Sequence, residues 1–458
     1  MAAVRLHSQL QCQLHIPGVF TMDRVAGAKS LAWVIDPKSP CPNICPSPGR
    51  IAQLPRSQKA LAARLRIVYS SRMRKTVAAV SRLNHFRPTI PLLATFALMV
   101  TPGFLWSASV PAGKPAGELD VVFQRESGWT GADGDFSVPL SRDTTLWLFG
   151  DTWVGEIKDG RRTNTTLVNN SVALQRIGEQ PKFFYGSKTN GHPAAFVTPA
   201  DQRGYFWPFH GLRTGDGLHL FLEQVENVPG PAGGAFNFRM AATWHALVSN
   251  PDDPPPAWRI AQVKLPFGEF GPDGDIMWGS WLMRNGDFVY IYGLDSRKVG
   301  GKKQSALVAA RVAEQHLGEF KEWRFYANGS WQSDPQKLSP LCAGFPTEFS
   351  ISYLPGVGKF AAVYMEKAIS GKIQLRLAAT PIGPWGEPSL IYECPEQSWP
   401  EKVFCYSAKA HPELAGAADE LIVTYAANSW EFANVMRDAR LYWPRFVRVK
   451  LDALKQRE

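Results

Sequence analysis

The amino-acid sequence predicts an all-β protein built as a five-bladed β-propeller. Three observations carry this prediction: a β-rich run recurs five times at long and nearly even spacing, a turn signal precedes each run, and no amphipathic helical stretch of any length interrupts the pattern. Repeated antiparallel sheets are what this combination indicates. Barrels and doubly wound sheets of the α/β class would require alternating helices.

The five runs share apolar and aromatic residues that end in a polar or charged residue. They are LWLFGDTW (146–153), LHLFLEQV (218–225), FVYIYGLD (288–295), FAAVYMEK (360–367) and LIVTYAAN (421–428). Their starts are separated by 72, 70, 72 and 61 residues. Five such units closing in a ring make a propeller, and we expect LDVVFQ (119–124) to complete the last blade. A large β-sandwich is the alternative, but it does not require even spacing.

The N-terminal quarter of the chain differs in charge from the remainder. Residues 1–114 hold 15 of the 50 Lys and Arg residues but only two of the 40 Asp and Glu residues. The net charge of +10 therefore belongs to this leader. The remaining chain is slightly acidic and gives no support for binding of nucleic acid.

Residues 73–112 have the features of a secretory signal peptide: basic residues, the apolar run TIPLLATFALMVTPGFLW (89–106), and small residues at its exit. Cleavage would leave no stable membrane insertion and would place a monomeric protein in the periplasm, at the cell surface or outside the cell. A membrane anchor is the alternative. Residues 1–72 are interpreted as a non-native or disordered extension, and residues 115–458 as the propeller domain.

Three cysteines fall within the predicted domain. Cys394 and Cys405 are close enough in sequence for a disulfide in an oxidising compartment, and Cys342 is expected to be a buried thiol. Their spacing fits no zinc site. The sequence thus predicts no metal site and no organic cofactor, although a Ca²⁺ ion could occupy the channel without being required.

A propeller brings the starts of its first strands and the ends of its second strands to one face. The predicted first strands begin near Asp133, Asp135, Trp207, His210, Asp275, Trp278, Glu348, Lys409 and His411. The predicted second strands end near Asp151, Glu223, Asp295, Glu366 and Asn428. The sequence therefore predicts an axial funnel lined by carboxylates, with aromatic and basic groups among them.

Such a funnel suits the cleavage of a glycosidic bond, which needs one carboxylic acid and one carboxylate base or nucleophile. Clustered carboxylates repel each other, so one of them can stay protonated. Structural roles are the alternative for several residues. Asp151 can cap a turn, His411 can brace a strand end, and Trp147 and Trp244 are expected to pack between blades.

Two stretches carry a resemblance to a known family. GWTGADGDFSVPLSRDTTLWLFGDTWVG (128–155) resembles the opening of proteins catalogued as domain of unknown function 4185, and YSAKAHPEL (406–414) with LIVTYAANS (421–429) resembles their closing blade. The similarity spans roughly residues 119–452. It implies a fold related to the five-bladed arabinanases, β-xylosidases and fructosidases, and for some members endo action on D-arabinofuranose polymers.

By blade position, the resemblance to those hydrolases implies Asp133 or Asp135 as base or nucleophile and Glu348 as acid. It implies Asp275 as a partner that tunes a pKa or positions substrate. The choice between Asp133 and Asp135 stays open, with Asp135 favoured because it is nearer the strand. The residues expected to bind sugar are Asp151, Trp207, His210, Trp278, Lys409, His411 and Asn428.

The sequence therefore predicts a secreted glycoside hydrolase that acts on a furanose-containing polysaccharide such as D-arabinan. A non-catalytic carbohydrate-binding propeller and a cell-surface interaction domain are the alternatives. A sialidase is disfavoured because the Ser-x-Asp-x-Gly-x-Thr-Trp box is missing. Phosphate-binding loops and HExxH motifs are also missing.

Overall fold

The computed structural model describes residues 113–230 and 236–452. The predicted extension (1–72) and signal peptide (73–112) lie outside the described residues. Within the described part of the chain, no helix is both long and apolar enough to cross a membrane.

The chain enters through a short strand, a helix and a second strand: β1 (Gly113–Pro115), α1 (Gly117–Phe123) and β2 (Ser127–Ala132). The next strands are β3 (Phe136–Pro139), β4 (Thr144–Phe149), β5 (Thr152–Lys158), β6 (Arg161–Val168), β7 (Ser171–Arg176) and β8 (Lys182–Phe184). Blade 1 has the order β3-β4-β7-β8, while β2, β5 and β6 form a separate sheet. A small hairpin follows, β9 (Gly186–Ser187) and β10 (Pro193–Ala194).

Blades 2 and 3 follow in chain order. Blade 2 contains β11 (Tyr205–Arg213), β12 (Leu218–Asn227), β13 (Phe238–Val248) and β14 (Ile260–Lys264). The strands of the next region are β15 (Ile276–Asn285), β16 (Phe288–Asp295), β17 (Lys298–Val299), β18 (Lys302–Lys303), β19 (Ala306–Ala313), β20 (Arg324–Ala327), β21 (Ser330–Gln332) and β22 (Cys342–Ala343). Blade 3 has the order β15-β16-β19-β20-β21, with β22 also paired to β19, and β17 and β18 form a separate hairpin.

Blades 4 and 5 complete the ring. Blade 4 contains β23 (Phe349–Leu354), β24 (Lys359–Met365), β25 (Lys372–Ala378) and β26 (Ser389–Glu393). The last elements are β27 (Val403–Ala410), β28 (Glu420–Ser429), α2 (Ala433–Arg437) and β29 (Arg445–Lys450). Blade 5 has the order β27-β28-β29-β1. Single 3₁₀ turns lie at Pro255–Ala257, Glu314–His316, Phe320–Glu322, Pro335–Lys337, Pro395–Ser398 and Pro412–Leu414.

This architecture confirms the predicted all-β propeller. Each of the five β-rich runs contributes the second strand of its sheet, namely β4, β12, β16, β24 and β28. The prediction for LDVVFQ was wrong, because this segment forms α1. Its apolar residues Leu119, Val122 and Phe123 have helical spacing, and the Phe123 ring packs on Trp147 at 4.9 Å between centroids. The strand β1 closes blade 5 instead, by pairing with β29.

Polar contacts join every blade to the next around the ring. From blade 1 onward they are His210 Nε2 with the Ser137 carbonyl (3.1 Å), Leu282 N–H to His210 Nδ1 (3.0 Å), the Tyr292 hydroxyl to the Pro381 carbonyl (2.8 Å), Ala410 N–H to Ser350 Oγ (2.7 Å), and Ser137 Oγ with His411 Nδ1 (2.5 Å). The last of these closes blade 5 on blade 1. Buried partners of this kind fix how neighbouring sheets sit, since an unpaired polar group there would be costly.

The cysteines differ from their prediction. Cys394, Cys405 and Cys342 are all free thiols, so the predicted disulfide is not formed in the structure. Cys394 and Cys405 are both buried, and burial followed by contact with Cys405 raises the pKa of the Cys394 thiol. Cys342, expected to be buried, is partly exposed.

Gly279 of blade 3 packs against Phe221 of blade 2, and its replacement by Ala should destabilise the fold. It has a φ of 85°, and an added β-carbon would stand 2.2 Å from the Phe221 side chain. We expect Gly279→Ala to lower the free energy of unfolding by about 3 kcal/mol or more, through backbone strain and overpacking together. Denaturant unfolding measures this change.

Gly286→Ala is the matched control. Gly286 also has a positive φ, of 59°, but an added β-carbon there meets no atom within 4 Å. Gly286→Ala should therefore lower the free energy of unfolding by only about 1 kcal/mol, through backbone strain alone. Equal destabilisation by the two substitutions would contradict the close approach of the blades.

Candidate active site

Two aspartates meet at one end of the axial channel because the backbone clamps their loops together. Asp133 lies between β2 and β3, and Asp151 lies between β4 and β5. The Gly150 N–H donates to the Asp133 carbonyl at 2.9 Å, and the Asp133 N–H donates to the Asp151 carbonyl at 3.3 Å. Gly134 permits this approach, since its φ is 89° and a β-carbon there would stand 2.8 Å from the Gly150 nitrogen.

The Asp133 carboxylate is held by two phenols. Its Oδ2 accepts hydrogen bonds from the hydroxyls of Tyr406, at 2.7 Å, and Tyr442, at 2.8 Å. Both bonds stabilise the charged form. Burial and the nearby carboxylates of Asp151 and Glu348 nevertheless outweigh them and raise the pKa of Asp133 well above its ordinary value.

The Asp151 carboxylate is oriented by two side-chain N–H donors. Its Oδ1 accepts from Trp207 Nε1 at 3.0 Å and from Asn169 Nδ2 at 3.2 Å. Burial raises the pKa of Asp151 to about 6 despite these bonds. Asp133 and Asp151 therefore act as one titrating pair, in which the proton that one carboxyl group holds favours the charge on the other.

A third carboxylate stands beside a buried ammonium group. Glu348 Oε1 accepts a hydrogen bond from the Ser407 hydroxyl and lies 3.9 Å from Lys409 Nζ. Its side chain is 22% exposed, whereas that of Lys409 has no exposure at all. Lys409 Nζ donates to the carbonyls of Gly134 and Ser407. The three carboxylates Asp133, Asp151 and Glu348, with Lys409 beside them, form what we call the carboxylate cluster.

Asp135 lies next to this cluster but inside the protein. Its relative exposure is 0% and its φ is 50°. Neither carboxylate oxygen has a hydrogen-bond partner among the described residues. Burial raises the pKa of Asp135 to about 7, with Lys409 opposing the shift and Glu348 adding to it. Of the two candidates that the sequence left open, Asp133 is the one that is partly exposed, whereas Asp135 is fully buried.

Both predicted histidines are committed to contacts within the protein. His210 uses Nε2 on the Ser137 carbonyl and Nδ1 on the Leu282 N–H, and its ring stacks on Trp281 at 3.8 Å. Burial lowers the pKa of His210 to about 3, which fits an unprotonated Nδ1 that accepts the hydrogen bond from the Leu282 N–H. Hence this imidazole braces the junction of blades 1 to 3 and has no ring nitrogen left for a sugar.

His411 has the corresponding role between blades 5 and 1. Its exposure is 0%, with Nδ1 2.5 Å from Ser137 Oγ and Nε2 2.7 Å from Thr424 Oγ1. The Ser137 hydroxyl donates its single hydrogen to Glu413. Consequently His411 donates from Nδ1 and accepts at Nε2 as a neutral ring. Burial and Lys409 lower the pKa of His411 well below its ordinary value.

The remaining predicted residues divide between the cluster and the core. Asn428 is near the cluster and hydrogen-bonds the Tyr406 side chain. Trp278 is 0% exposed and packs on Phe325 at 5.4 Å, so its indole does not reach the funnel. Asp275 accepts a hydrogen bond from the Gly271 N–H at 3.2 Å. Burial, and to a smaller extent Asp275, raise the pKa of Glu223 well above its ordinary value.

Sequence reasoning missed four residues that the structure brings to the cluster. Tyr406 and Ser407 open the YSAKAHPEL segment, and Asn169 lies in LVNNSVAL. A tyrosine at the start of a first strand could have been selected in the same way as Trp207. Tyr442 lies between α2 and β29, outside any strand, and had no periodic signal.

The structure offers no evident metal centre among the described residues, because no group of three or more His, Cys, Asp or Glu side chains there is arranged to hold an ion. The statement that Ca²⁺ could occupy the channel stays a prediction. So does the absence of an organic cofactor.

The described fold is similar to solved structures. A candidate hydrolase from Bacteroides ovatus has 17% identity and a TM-score of 0.60, with 75% of this chain and 92% of that chain covered. A thermostable family-43 glycoside hydrolase has 13% identity and a TM-score of 0.38, covering 71% and 91%. The GH43_1 enzyme from Xanthomonas citri, complexed with xylotriose, has 10% identity and a TM-score of 0.41, covering 73% and 89%.

A protein-family model described as Domain of unknown function (DUF5005) matches residues 117–451. The family suggested by the sequence, domain of unknown function 4185, was therefore wrong, although the propeller fold that it implied is confirmed. No curated protein matches the chain.

Removal of the Tyr406 hydroxyl should raise the pKa of Asp133. The hydroxyl donates to the carboxylate and so favours its charged form. In Tyr406→Phe we expect the pKa of Asp133 to rise, as followed by carboxyl-carbon NMR across a pH titration. Tyr205→Phe is the control, since the Tyr205 hydroxyl bonds Asn227 at 3.4 Å. An unchanged or lower pKa in Tyr406→Phe would show that this hydrogen bond is absent.

Asp135→Asn should stabilise the protein in a pH-dependent way. The folded-state pKa of about 7 exceeds the ordinary 3.8, so the folded state binds more protons and stability falls as pH rises from about 4 to 7. Asn does not titrate, so this loss is absent in Asp135→Asn. The free energy of unfolding of the variant should exceed that of the wild type by little at pH 4 and by up to about 4 kcal/mol above pH 7. Thermal unfolding at both pH values, with the exposed Asp252→Asn as control, measures it; a gain independent of pH would refute the argument.

Proposed function

Since the chain belongs to the DUF5005 family, whose description states no activity, its function must be inferred from its site, and we propose that it is a glycoside hydrolase. The observation that carries the proposal is the Asp133 and Asp151 pair, two adjacent carboxyl groups with raised pKa values at one end of a propeller channel. Glycosidic bond cleavage requires one protonated and one charged carboxyl group. Because the charge of Asp151 adds to burial in raising the pKa of Asp133, protonation of one carboxyl group favours the charged form of the other, and the pair can supply both.

We assign Asp133 as the group that donates its proton to the leaving oxygen, because burial and the charges of Asp151 and Glu348 raise its pKa. Asp151, held by Trp207 and Asn169, acts as base or nucleophile. Glu348 and the Lys409 ammonium provide the surrounding field, since Glu348 raises the pKa of Asp133. The assignment of Glu348 as the acid, which blade position suggested, is the alternative that mutation separates.

The proposal extends to substrate and location. The partly exposed rings of Trp207 and Tyr406 lie next to the carboxyl groups. Indole and phenol rings in this position suit the C–H faces of a sugar. We place furanose polysaccharides, with D-arabinan first, ahead of pyranose polymers. Export through the signal-peptide features of residues 73–112, and action as a monomer outside the cytoplasm, belong to the same proposal.

The test is product release from a panel of furanose and pyranose polysaccharides by the full chain and its variants. We expect Asp133→Asn and Asp151→Asn each to reduce the rate by roughly 10²–10⁴, the range for loss of a general acid or base. Asp252→Asn, whose side chain is 84% exposed, is the control and should keep the full rate.

The outcomes separate the alternatives. If Glu348→Gln abolishes hydrolysis while Asp151→Asn retains it, the acid and base roles lie with Glu348 and Asp133. If the wild-type protein binds a polysaccharide but releases no product from any member of the panel, the propeller is a carbohydrate-binding module and the proposal fails.

A further inference from the structure

A continuous row of aromatic rings connects a hydrogen-bond donor of Asp133 to a hydrogen-bond donor of Asp151. We call it the aromatic arch, and it consists of Trp207, Phe238, Phe236, Trp430, Phe404 and Tyr406. Successive ring centroids along the arch are separated by 4.8, 6.2, 5.8, 4.6 and 5.4 Å. These separations are those of rings in contact.

The topology explains why the arch crosses blade 1. Trp207, Phe236 and Phe238 belong to blade 2, at the start of β11 and around the start of β13. The other three rings belong to blade 5, in β27 and directly after β28. Blades 2 and 5 are the two neighbours of blade 1 in the ring. Contact between Phe236 and Trp430 therefore bridges the blade that carries both aspartates.

Both ends of the arch reach the reacting carboxyl groups. At one end the Tyr406 hydroxyl donates to Asp133 at 2.7 Å, and at the other Trp207 Nε1 donates to Asp151 at 3.0 Å. A ligand lying on the arch is thus continuous with the carboxylate cluster. This continuity distinguishes the arch from an apolar patch elsewhere on the surface.

The middle of the arch is open to solvent. Phe236 is 55% exposed and Trp430 is 49% exposed, although Phe404 behind them is only 6% exposed. Two large rings that touch each other and remain exposed carry an energetic cost that burial by a ligand would recover.

The chemistry around the exposed rings favours a sugar chain. Beside Trp430 stands the ion pair of Lys402 and Glu431, in which each charge neutralises the other. A nucleic acid would need unpaired basic groups, and a lipid surface would need a wider apolar area. Flat apolar faces flanked by hydrogen-bonding groups match the alternation of C–H and hydroxyl surfaces on a saccharide.

We propose that the aromatic arch is a sugar-stacking subsite, in which Trp430 and Phe236 bind a unit next to the one that the aspartate pair attacks. The inference rests on the proposed function for its direction, since the arch leads to that pair. It makes the preferred substrate an oligosaccharide or polysaccharide, because a stacking site next to the attacked unit requires a second sugar.

The test measures binding separately from cleavage. Calorimetry measures affinity for arabinan and for other soluble furanose and pyranose polysaccharides in an Asp133→Asn background. The same measurement is repeated after Trp430→Ala is added, and separately after Phe236→Ser is added. We expect each to weaken binding by about tenfold, as loss of one ring contact does. In otherwise wild-type protein, KM for the polymer should rise while cleavage of a short aryl glycoside is retained.

Tyr353→Ala is the matched control. Tyr353 is an aromatic of similar exposure, 48%, at the opposite end of a first strand, and its loss should not change affinity. If affinity is unchanged in both arch variants while the wild-type protein still cleaves the polysaccharide, the sugar-stacking subsite is refuted and the proposed hydrolase activity stands. If binding depends on Trp430 but the wild-type protein cleaves no polysaccharide, the result supports the sugar-stacking subsite and refutes the proposed hydrolase activity. Comparable thermal midpoints ensure that each variant compared is folded.

Discussion

The seam between blades 5 and 1 is the constraint on which the site depends. There the buried Lys409 ammonium donates to the carbonyls of Gly134 and Ser407 and lies 4.4 Å from the Phe136 ring centroid. A buried charge is tolerated only when hydrogen bonds and opposite charges replace water. Here they do so by holding the loop that contains Asp133, so the contacts that close the ring also position Asp133.

Burial of carboxyl groups at this seam is energetically unfavourable and chemically useful. Desolvation raises the pKa of Asp133, Asp151 and Asp135, and each raised pKa is a loss of folding stability near neutral pH. The packed aromatic core around the seam offsets this loss, with Trp147 fully buried against Phe446 of the neighbouring blade. A rigid ring of sheets can therefore hold two buried carboxyl groups near each other, through the backbone hydrogen bonds that join their loops.

The sequence predicted most of the fold because the propeller repeats. Each second strand, such as LHLFLEQV in β12, carries an apolar run that needs no tertiary information to identify. The strand predicted for LDVVFQ was wrong because helix and strand patterns overlap in a short apolar run. Its apolar residues have the i, i+3, i+4 spacing of a helix, and Gly117–Phe123 is helical. Blade position selected both Asp133 and Glu348, and the pKa of Asp133 is raised by burial, by Asp151 and, to a smaller extent, by Glu348.

The sequence could not distinguish residues that line the site from residues that only stabilise the fold, when both occupy equivalent positions in their blades. His210 occupies a first strand as Lys409 does, and His411 directly follows one, yet both rings hydrogen-bond Ser137 across the seams between blades. Strand alternation and the β-bulges in β11 and β27 decide which side chains face the channel. The bulge in β27 lies between Tyr406 and Lys409, so the segment that holds Ser407 against Glu348 leaves the regular ladder. A site formed at such irregularities depends on backbone geometry that residue types alone do not specify.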